Sequence, residues 1–214
     1  MLKELTLENH TIITEDADTT PSKAIILNDG NLLIKHQLKL PGYLLVGIIP
    51  NNRLNEYSPW PLKSLRQNTP DFGGKLNEYH HDLGKIVTSL KELYNIDDFS
   101  YGGYSLGGLA AIFSLYSMNI FSKVFAICPS LWYEGAVAYF EENDIYAKAK
   151  VFILNGEKEG EKHNNALRLQ PQFAKTVHQI FKDKTGATTI MDAYGHHDKQ
   201  NERLNQALSW ISQN

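Results

Sequence analysis

One stretch constrains this chain more than any other: Phe99-Ser100-Tyr101-Gly102-Gly103-Tyr104-Ser105-Leu106-Gly107-Gly108, followed by the apolar run Leu109-Ala110-Ala111-Ile112-Phe113. Inside it, Gly103-x-Ser105-x-Gly107 is the pattern of a serine lifted to the tip of a sharp strand-to-helix turn. A serine there has strained backbone angles, and neighbours carrying a Cβ would clash, so the chemistry asks for glycine on each side. The hydroxyl is then exposed, with the N–H of Leu106 and a helix N-terminus beside it to receive developing negative charge. The triplet alone also arises by chance. Here a short β-like run precedes it and a helix-like run follows, which is the context the turn requires.

The rest of the chain can be asked whether it builds a sheet around that turn. Ala24-Ile25-Ile26-Leu27, Val124 to Cys128, Val151-Phe152-Ile153-Leu154 and the β-rich Thr188 to Tyr194 are short apolar runs that predict strands. Tyr43-Leu44-Leu45-Val46-Gly47-Ile48-Ile49 is apolar at nearly every position, as a central parallel strand covered on both faces should be. Between them, Lys75 to Tyr94 carries Leu76, Tyr79, Leu83, Ile86, Val87, Leu90 and Leu93 at helical spacing. Helices are also predicted after the serine to about Met118, around Ala136 to Glu141, over 164–183 with Pro171 kinking or starting it, and over 202–212. Residues 3–14 predict a short hairpin and Glu15 to Ser22 a loop. Four prolines between 50 and 70 forbid a regular element there, and a loop of that length with its aromatic residues is expected to be functional. Alternating strands and helices predict an α/β three-layer sandwich with a mainly parallel sheet. No linker or repeat divides the 214 residues, so one domain, 1–214, is expected.

Composition excludes several roles. Hydrophobic residues make up 42% and charged residues 21%, an ordinary globular balance. A net charge of −3 with interspersed signs gives no nucleic-acid or anionic-membrane footprint. No stretch approaches about 18 consecutive apolar residues, and the N-terminus shows no apolar signal region. The single cysteine, Cys128, lies in an apolar run and is expected to be a buried small residue, which fits a reducing cytoplasmic setting. His80 and His81 are adjacent on a predicted helix, about 100° apart, and cannot chelate one ion together. His10, His36, His163 and His178 are expected at the surface or as satisfied structural residues. No metal and no organic cofactor is expected.

Serine needs a general base, almost always histidine, oriented by a carboxylate. In α/β-hydrolases the three come in the order Ser, acid, His, each after a strand. This chain offers Ser105, then Glu157 or Glu159 after Leu154, then His196 or His197 after the last strand. Glu159 is preferred, because the acid usually stands a few residues past the glycine that ends its strand. Of two successive histidines, one facing inward turns the other away. The oxyanion hole is expected from the Leu106 N–H and from the loop after Ile49; Pro50 has no N–H, so the second donor falls to Asn51 or a near neighbour. Arg53 is a candidate anchor for an anionic substrate group or, equally, one half of a structural salt bridge.

Several segments together resemble the α/β-hydrolase family that includes S-formylglutathione hydrolase, feruloyl esterases, mycolyltransferases and the enterobactin (siderophore) esterases. They are Ala24-Ile25-Ile26-Leu27-Asn28-Asp29-Gly30, Arg53-Leu54-Asn55-Glu56-Tyr57-Ser58-Pro59, the Gly103 to Gly108 turn, Pro129-Ser130-Leu131-Trp132 and Gly195-His196-His197-Asp198. The likeness covers about residues 24–212, and its common order is its most specific aspect. It implies an α/β-hydrolase fold and a serine ester hydrolase, with a lean toward the siderophore-esterase branch; the short spacing from Ser130 to Lys150 leaves too few residues for a large cap domain. Aligning the last segment with that family's Gly-Gly-His-Asp implies His197 as the base, with His196 in the place of a glycine. The implied site is therefore Ser105, His197 and Glu159, with Leu106 and Asn51 at the oxyanion and Arg53, Tyr104 and Trp132 at the substrate. The expected partner is a small-molecule ester, with no nucleic acid and no membrane. A transferase passing the acyl group to another acceptor, or a binding protein that kept the scaffold, would use the same residues.

Overall fold

The sheet shows how the apolar runs are used. In the computed structural model, which describes residues 2–15, 21–65 and 67–214, ten strands are formed: β1 (Leu2–Leu7), β2 (His10–Glu15), β3 (Lys23–Asn28), β4 (Tyr43–Ile49), β5 (Pro61–Leu62), β6 (Phe72–Gly73), β7 (Asp98–Tyr104), β8 (Lys123–Ile127), β9 (Lys150–Gly156) and β10 (Thr188–Asp192). Eight of them form one sheet in the order β1-β2-β4-β3-β7-β8-β9-β10. The β1–β2 hairpin pairs antiparallel and joins β4 antiparallel; every pair from β4 to β10 is parallel. The result is the expected α/β architecture with a mainly parallel sheet, and no large cap covers it among the described residues. The loop expected over 15–22 falls mostly on residues 16–20, outside the described residues.

Strict alternation along each strand divides the core into two layers. Ala24 and Ile26 of β3, Leu44, Val46 and Ile48 of β4, Phe99 and Tyr101 of β7, Val124 and Ala126 of β8, and Val151 and Ile153 of β9 face one side. There they meet the helices α3 (Leu76–Tyr94), α4 (Leu106–Ser117), α5 (Ala136–Glu142) and α6 (Gln170–Thr185). Ile25, Leu27, Leu45, Tyr104, Phe125, Ile127, Phe152 and Leu154 face the other, under α1 (Asn31–His36) and α7 (Gln200–Gln213). Helix α3 buries Leu76, Tyr79, Leu83, Ile86, Val87 and Leu90 as its periodicity predicts, whereas Leu93, at its last turn, is exposed. Pro171 marks the start of α6, which a short 3-10 turn over Ala166–Leu169 precedes. The proline-rich region holds one helical turn, α2 (Arg53–Glu56), and the two-residue ribbon β5–β6.

The carboxyl ends of the parallel strands converge on one edge, where Asn28, Ser105, Ser130, Glu159 and His196 follow or end β3, β7, β8, β9 and β10. This is where open parallel sheets present ligand sites. No helix among the described residues is long and apolar enough to cross a membrane.

Two histidines are buried as neutral groups, His80 between α3 and α4 and His178 between α6 and β9. His80 donates from Nε2 to the carbonyl of Ala110 at 3.1 Å and accepts at Nδ1 from the Ser117 hydroxyl at 3.0 Å. Burial lowers both His80 and His178 to about 4. The unfolded chain therefore binds more protons than the native one below the ordinary value of 6.5. Stability is full above that pH and falls toward about pH 4, by up to about 1.4 kcal/mol per pH unit for each histidine. Thermal melts between pH 7 and 4.5 should show this loss, and His80→Gln should flatten it.

Candidate active site

Ser105 occupies the turn between β7 and α4 with φ 59° and ψ −121°, a conformation in which a non-glycine residue is strained. Three bonds hold it. Its N–H donates to the carbonyl of Ile127 at 2.9 Å, and its carbonyl accepts from the N–H groups of Leu109 at 3.0 Å and Ser130 at 3.1 Å. The flanking glycines permit the turn by close approach: a Cβ on Gly103 would lie 2.5 Å from the Gly107 carbonyl group. Beneath them the buried Asn28 donates to the carbonyl of Gly107 at 2.8 Å and to Tyr101 Oη at 2.7 Å, and accepts from the Tyr79 hydroxyl at 2.6 Å. The start of α4 is thus tied to the end of β3.

The Ser105 hydroxyl lies 3.0 Å from His196 Nε2, and His196 Nδ1 lies 2.6 Å from Glu159 Oε2. A carboxylate only accepts, so Nδ1 carries the proton and Nε2 accepts from Ser105. Glu159 is 1% exposed. Its other oxygen accepts from the N–H of Gly156 at 2.8 Å and from Asn155 Nδ2 at 2.9 Å. Asn155 Oδ1 in turn accepts from His178 Nε2 at 3.0 Å, so each of these buried oxygens has a donor. Glu157 points to solvent, its backbone N–H bonded to the carbonyl of Asp192 at 2.7 Å.

The expectation of His197 is corrected here. His196 stands between Ser105 and Glu159, while His197 is exposed, its ring 4.8 Å from that of His196 and set at 81° to it. The backbone decides this. The carbonyls of Gly195 and His196 turn inward to Arg203 Nη1 at 2.9 and 3.5 Å, the Tyr104 hydroxyl also donates to the His196 carbonyl, and the His196 ring packs edge-on against Tyr104. Tyr104 is likewise corrected as a substrate contact. Alternation along β7 sends its side chain to the α7 side of the sheet, buried beneath His196 and away from the cavity. Asn51 is corrected as well. It is exposed and does not line the cavity; Asn52 caps α2 by accepting from the Asn55 N–H at 3.1 Å, and the chain first faces the cavity at Arg53 and Leu54. Arg53 is engaged as a salt bridge, forking onto Asp29 with Nε at 2.7 Å and Nη2 at 2.9 Å, while its side chain still borders the cavity.

The cavity, about 270 Å³, opens over Ser105 and is walled by Leu54, Leu65, Phe72, Leu106, Trp132 and Leu167, with His163 and His197 at its exposed rim. Phe72 and Trp132 face each other at 5.8 Å between ring centroids. Ser130 also borders it, its hydroxyl 3.4 Å from that of Ser105. Gln170 pins this segment, donating to the Pro129 carbonyl at 2.6 Å and accepting from the Trp132 N–H at 3.0 Å. Cys128 lies beneath, buried; its thiol, pushed up by burial and then by the Glu159 charge, stays protonated. The sulfur, Glu159 and His196 have ligand atoms within 4.8 Å of one another, but Arg203 Nη1 lies 3.0 Å from the sulfur and puts a positive charge against any cation there.

Sequence signals for Gln170, Asn155 and Arg203 were faint. Arg203 had one: it sits on the apolar stripe of α7 with Leu204, Ala207, Leu208 and Ile211, where a charge is out of place unless partnered.

Comparison with known proteins agrees with this architecture. No protein-family model matches the chain. The uncharacterized protein YbbA of Bacillus subtilis strain 168 is 31% identical over 211 residues, spanning 88% of this chain and 84% of the relative. The chain belongs to the family of YbbA. Among solved structures, an IroE-like serine hydrolase from Shewanella oneidensis superposes with a TM-score of 0.81 at 16% identity, covering 99% of this chain and 80% of that one. The siderophore hydrolase EstA from Aspergillus nidulans superposes with a TM-score of 0.74 at 16% identity, covering 100% and 94%. The chain therefore has the α/β-hydrolase fold of these structures.

The tightness of the turn is measurable. Gly103→Ala must displace the Gly107 carbonyl group and should lower stability by about 1–3 kcal/mol in urea melts. Gly42→Ala, where a Cβ meets nothing but φ is +80°, should cost only the backbone strain, about 1–2 kcal/mol.

Proposed function

We propose that this protein is a serine ester hydrolase that acts on small carboxylic esters through an acyl-enzyme on Ser105. The observation that carries the proposal is the continuous chain from Ser105 Oγ through His196 to the buried Glu159 at the base of the cavity. A hydroxyl attached to a base whose far nitrogen is held by a carboxylate is the arrangement that activates serine at neutral pH.

Each residue then has a step. As Ser105 Oγ attacks the ester carbonyl, His196 Nε2 takes its proton, and Glu159 stabilises the imidazolium through Nδ1–H without accepting the proton itself. The tetrahedral oxyanion is received by the Leu106 N–H, the first amide of α4, and by an amide at the start of α2, from Arg53 or Leu54. His196 returns the proton to the leaving alcohol. It then activates the water that releases the acid and frees Ser105. The apolar wall of Phe72, Trp132, Leu54 and Leu65 seats the acyl or alcohol group. The names of the structural neighbours, a serine hydrolase and a siderophore hydrolase, support ester chemistry and make catecholate siderophore esters worth including among substrates. A single buried cysteine kept as a thiol fits a cytoplasmic enzyme.

The proposal is tested by a hydrolysis screen of p-nitrophenyl acetate and butyrate, feruloyl esters, S-formylglutathione and catecholate trilactones. Ser105→Ala and His196→Ala should each lower kcat by about 10³-fold or more, whereas His197→Ala should stay within about tenfold of the wild type. Hydrolysis surviving in Ser105→Ala would refute the assignment. Transfer of the acyl group to an added alcohol in preference to water would reclassify the enzyme as an acyltransferase.

A further inference from the structure

Arg203 is buried at the beginning of α7, where a guanidinium is costly unless its donors are met. They are met in two directions. Nε and Nη2 fork onto Asp192, the last residue of β10, at 2.7 and 2.5 Å. Nη1 turns the other way, to the Gly195 carbonyl at 2.9 Å, Cys128 Sγ at 3.0 Å, Tyr104 Oη at 3.3 Å and the His196 carbonyl at 3.5 Å. Tyr104, the residue before Ser105, donates its own hydroxyl to that same His196 carbonyl. Gly156 leaves room for the group, since a Cβ there would stand 2.6 Å from Arg203 Nη2. The cation does not line the cavity and has no route to substrate.

We infer that Arg203, with Tyr104 as its second contact, is a positioning residue that holds the Gly195-His196 carbonyls inward and so delivers the ring of His196, not His197, between Glu159 and Ser105. The inference rests on the proposed roles of Ser105, His196 and Glu159. Successive side chains leave the backbone in different directions, so fixing two successive carbonyls selects which histidine faces the site. The fork shape matters. A lysine ammonium can meet Asp192 or the turn, but one nitrogen cannot span both as the planar guanidinium does. Tyr104 extends the same control to the nucleophile's strand, so β7 and the turn after β10 move as one unit.

The test compares the wild-type protein with Arg203→Lys and Tyr104→Phe by three readouts. These are kcat and KM on p-nitrophenyl butyrate, the far-downfield proton resonance of the His196–Glu159 hydrogen bond (assigned by its loss in His196→Gln), and thermal melting. Arg203→Lys should lower kcat about 10²-fold, as a displaced catalytic group does, with KM within about threefold, and should lose the resonance. Tyr104→Phe should lower kcat about tenfold and shift the resonance. A lowered melting temperature with wild-type kcat and resonance in both variants would reduce Arg203 to a structural ion pair and overturn the inference. Should Arg203→Lys fail to fold, Tyr104→Phe decides alone, and wild-type kcat and resonance there overturn it. A wild-type protein that shows the resonance yet neither hydrolyses esters nor reacts with a fluorophosphonate removes the proposed function instead. In that case the resonance still decides: its loss in the variants supports positioning by Arg203 and Tyr104, and its retention refutes it.

Discussion

The strained backbone of Ser105 is the constraint on which the rest of the structure depends. A φ of 59° at a residue with a Cβ is held only where the surroundings over-determine it. They do so from the two strands that flank β7. Ile127 of β8 receives its N–H, Ser130 beyond β8 donates to its carbonyl, and Asn28 at the end of β3 grips Gly107 one half-turn into α4. The glycine pair at 103 and 107 lets strand and helix backbones touch.

Around this turn the polar groups form a buried floor in which each has a partner. Asn28 joins Tyr79, Tyr101 and Gly107; Asn155 joins His178 and Glu159; Gln170 joins Pro129 and Trp132; Arg203 joins Asp192, Gly195 and Tyr104. Buried polar networks are stabilising only when satisfied, and they then rigidify what they touch. Among the described residues, the one buried side-chain polar atom without a partner is Tyr116 Oη, which lies in the aromatic cluster of α4, α5 and α6 rather than at the site. The cavity wall is built differently, from Phe72, Trp132 and leucines, so the floor orients groups and the wall accommodates shape.

Much of this was legible in the amino-acid order. Strands apolar on both faces, such as Tyr43 to Ile49, have no other stable place than the middle of a covered sheet, and helix α3 declared itself by its period. Short elements were not legible. Helix α1, the single turn α2 and the β5–β6 ribbon each contain too few residues to show a period, and tertiary packing alone makes them. Leu93 fits the α3 period yet is exposed, while the adjacent Tyr94 packs against the core in its place. Asn51 and Tyr104 were misplaced for a related reason. Which way a side chain faces in a turn, or at the last residue of a strand, follows from neighbours distant in the chain.

The sequence by itself determined the sheet, the strained serine turn, and the order of serine, carboxylate and histidine along the strand ends. Those features are local, since alternation, glycine spacing and chain order act over a few residues. It also favoured Glu159 over Glu157, and the structure buries the former and exposes the latter. Between His196 and His197 the tertiary structure alone decided. Both follow the same strand and both carry the same imidazole, so nothing local distinguishes them. The distinction comes from a guanidinium on α7 and a phenol on β7, which hold two carbonyls of the turn inward and leave one ring facing Ser105.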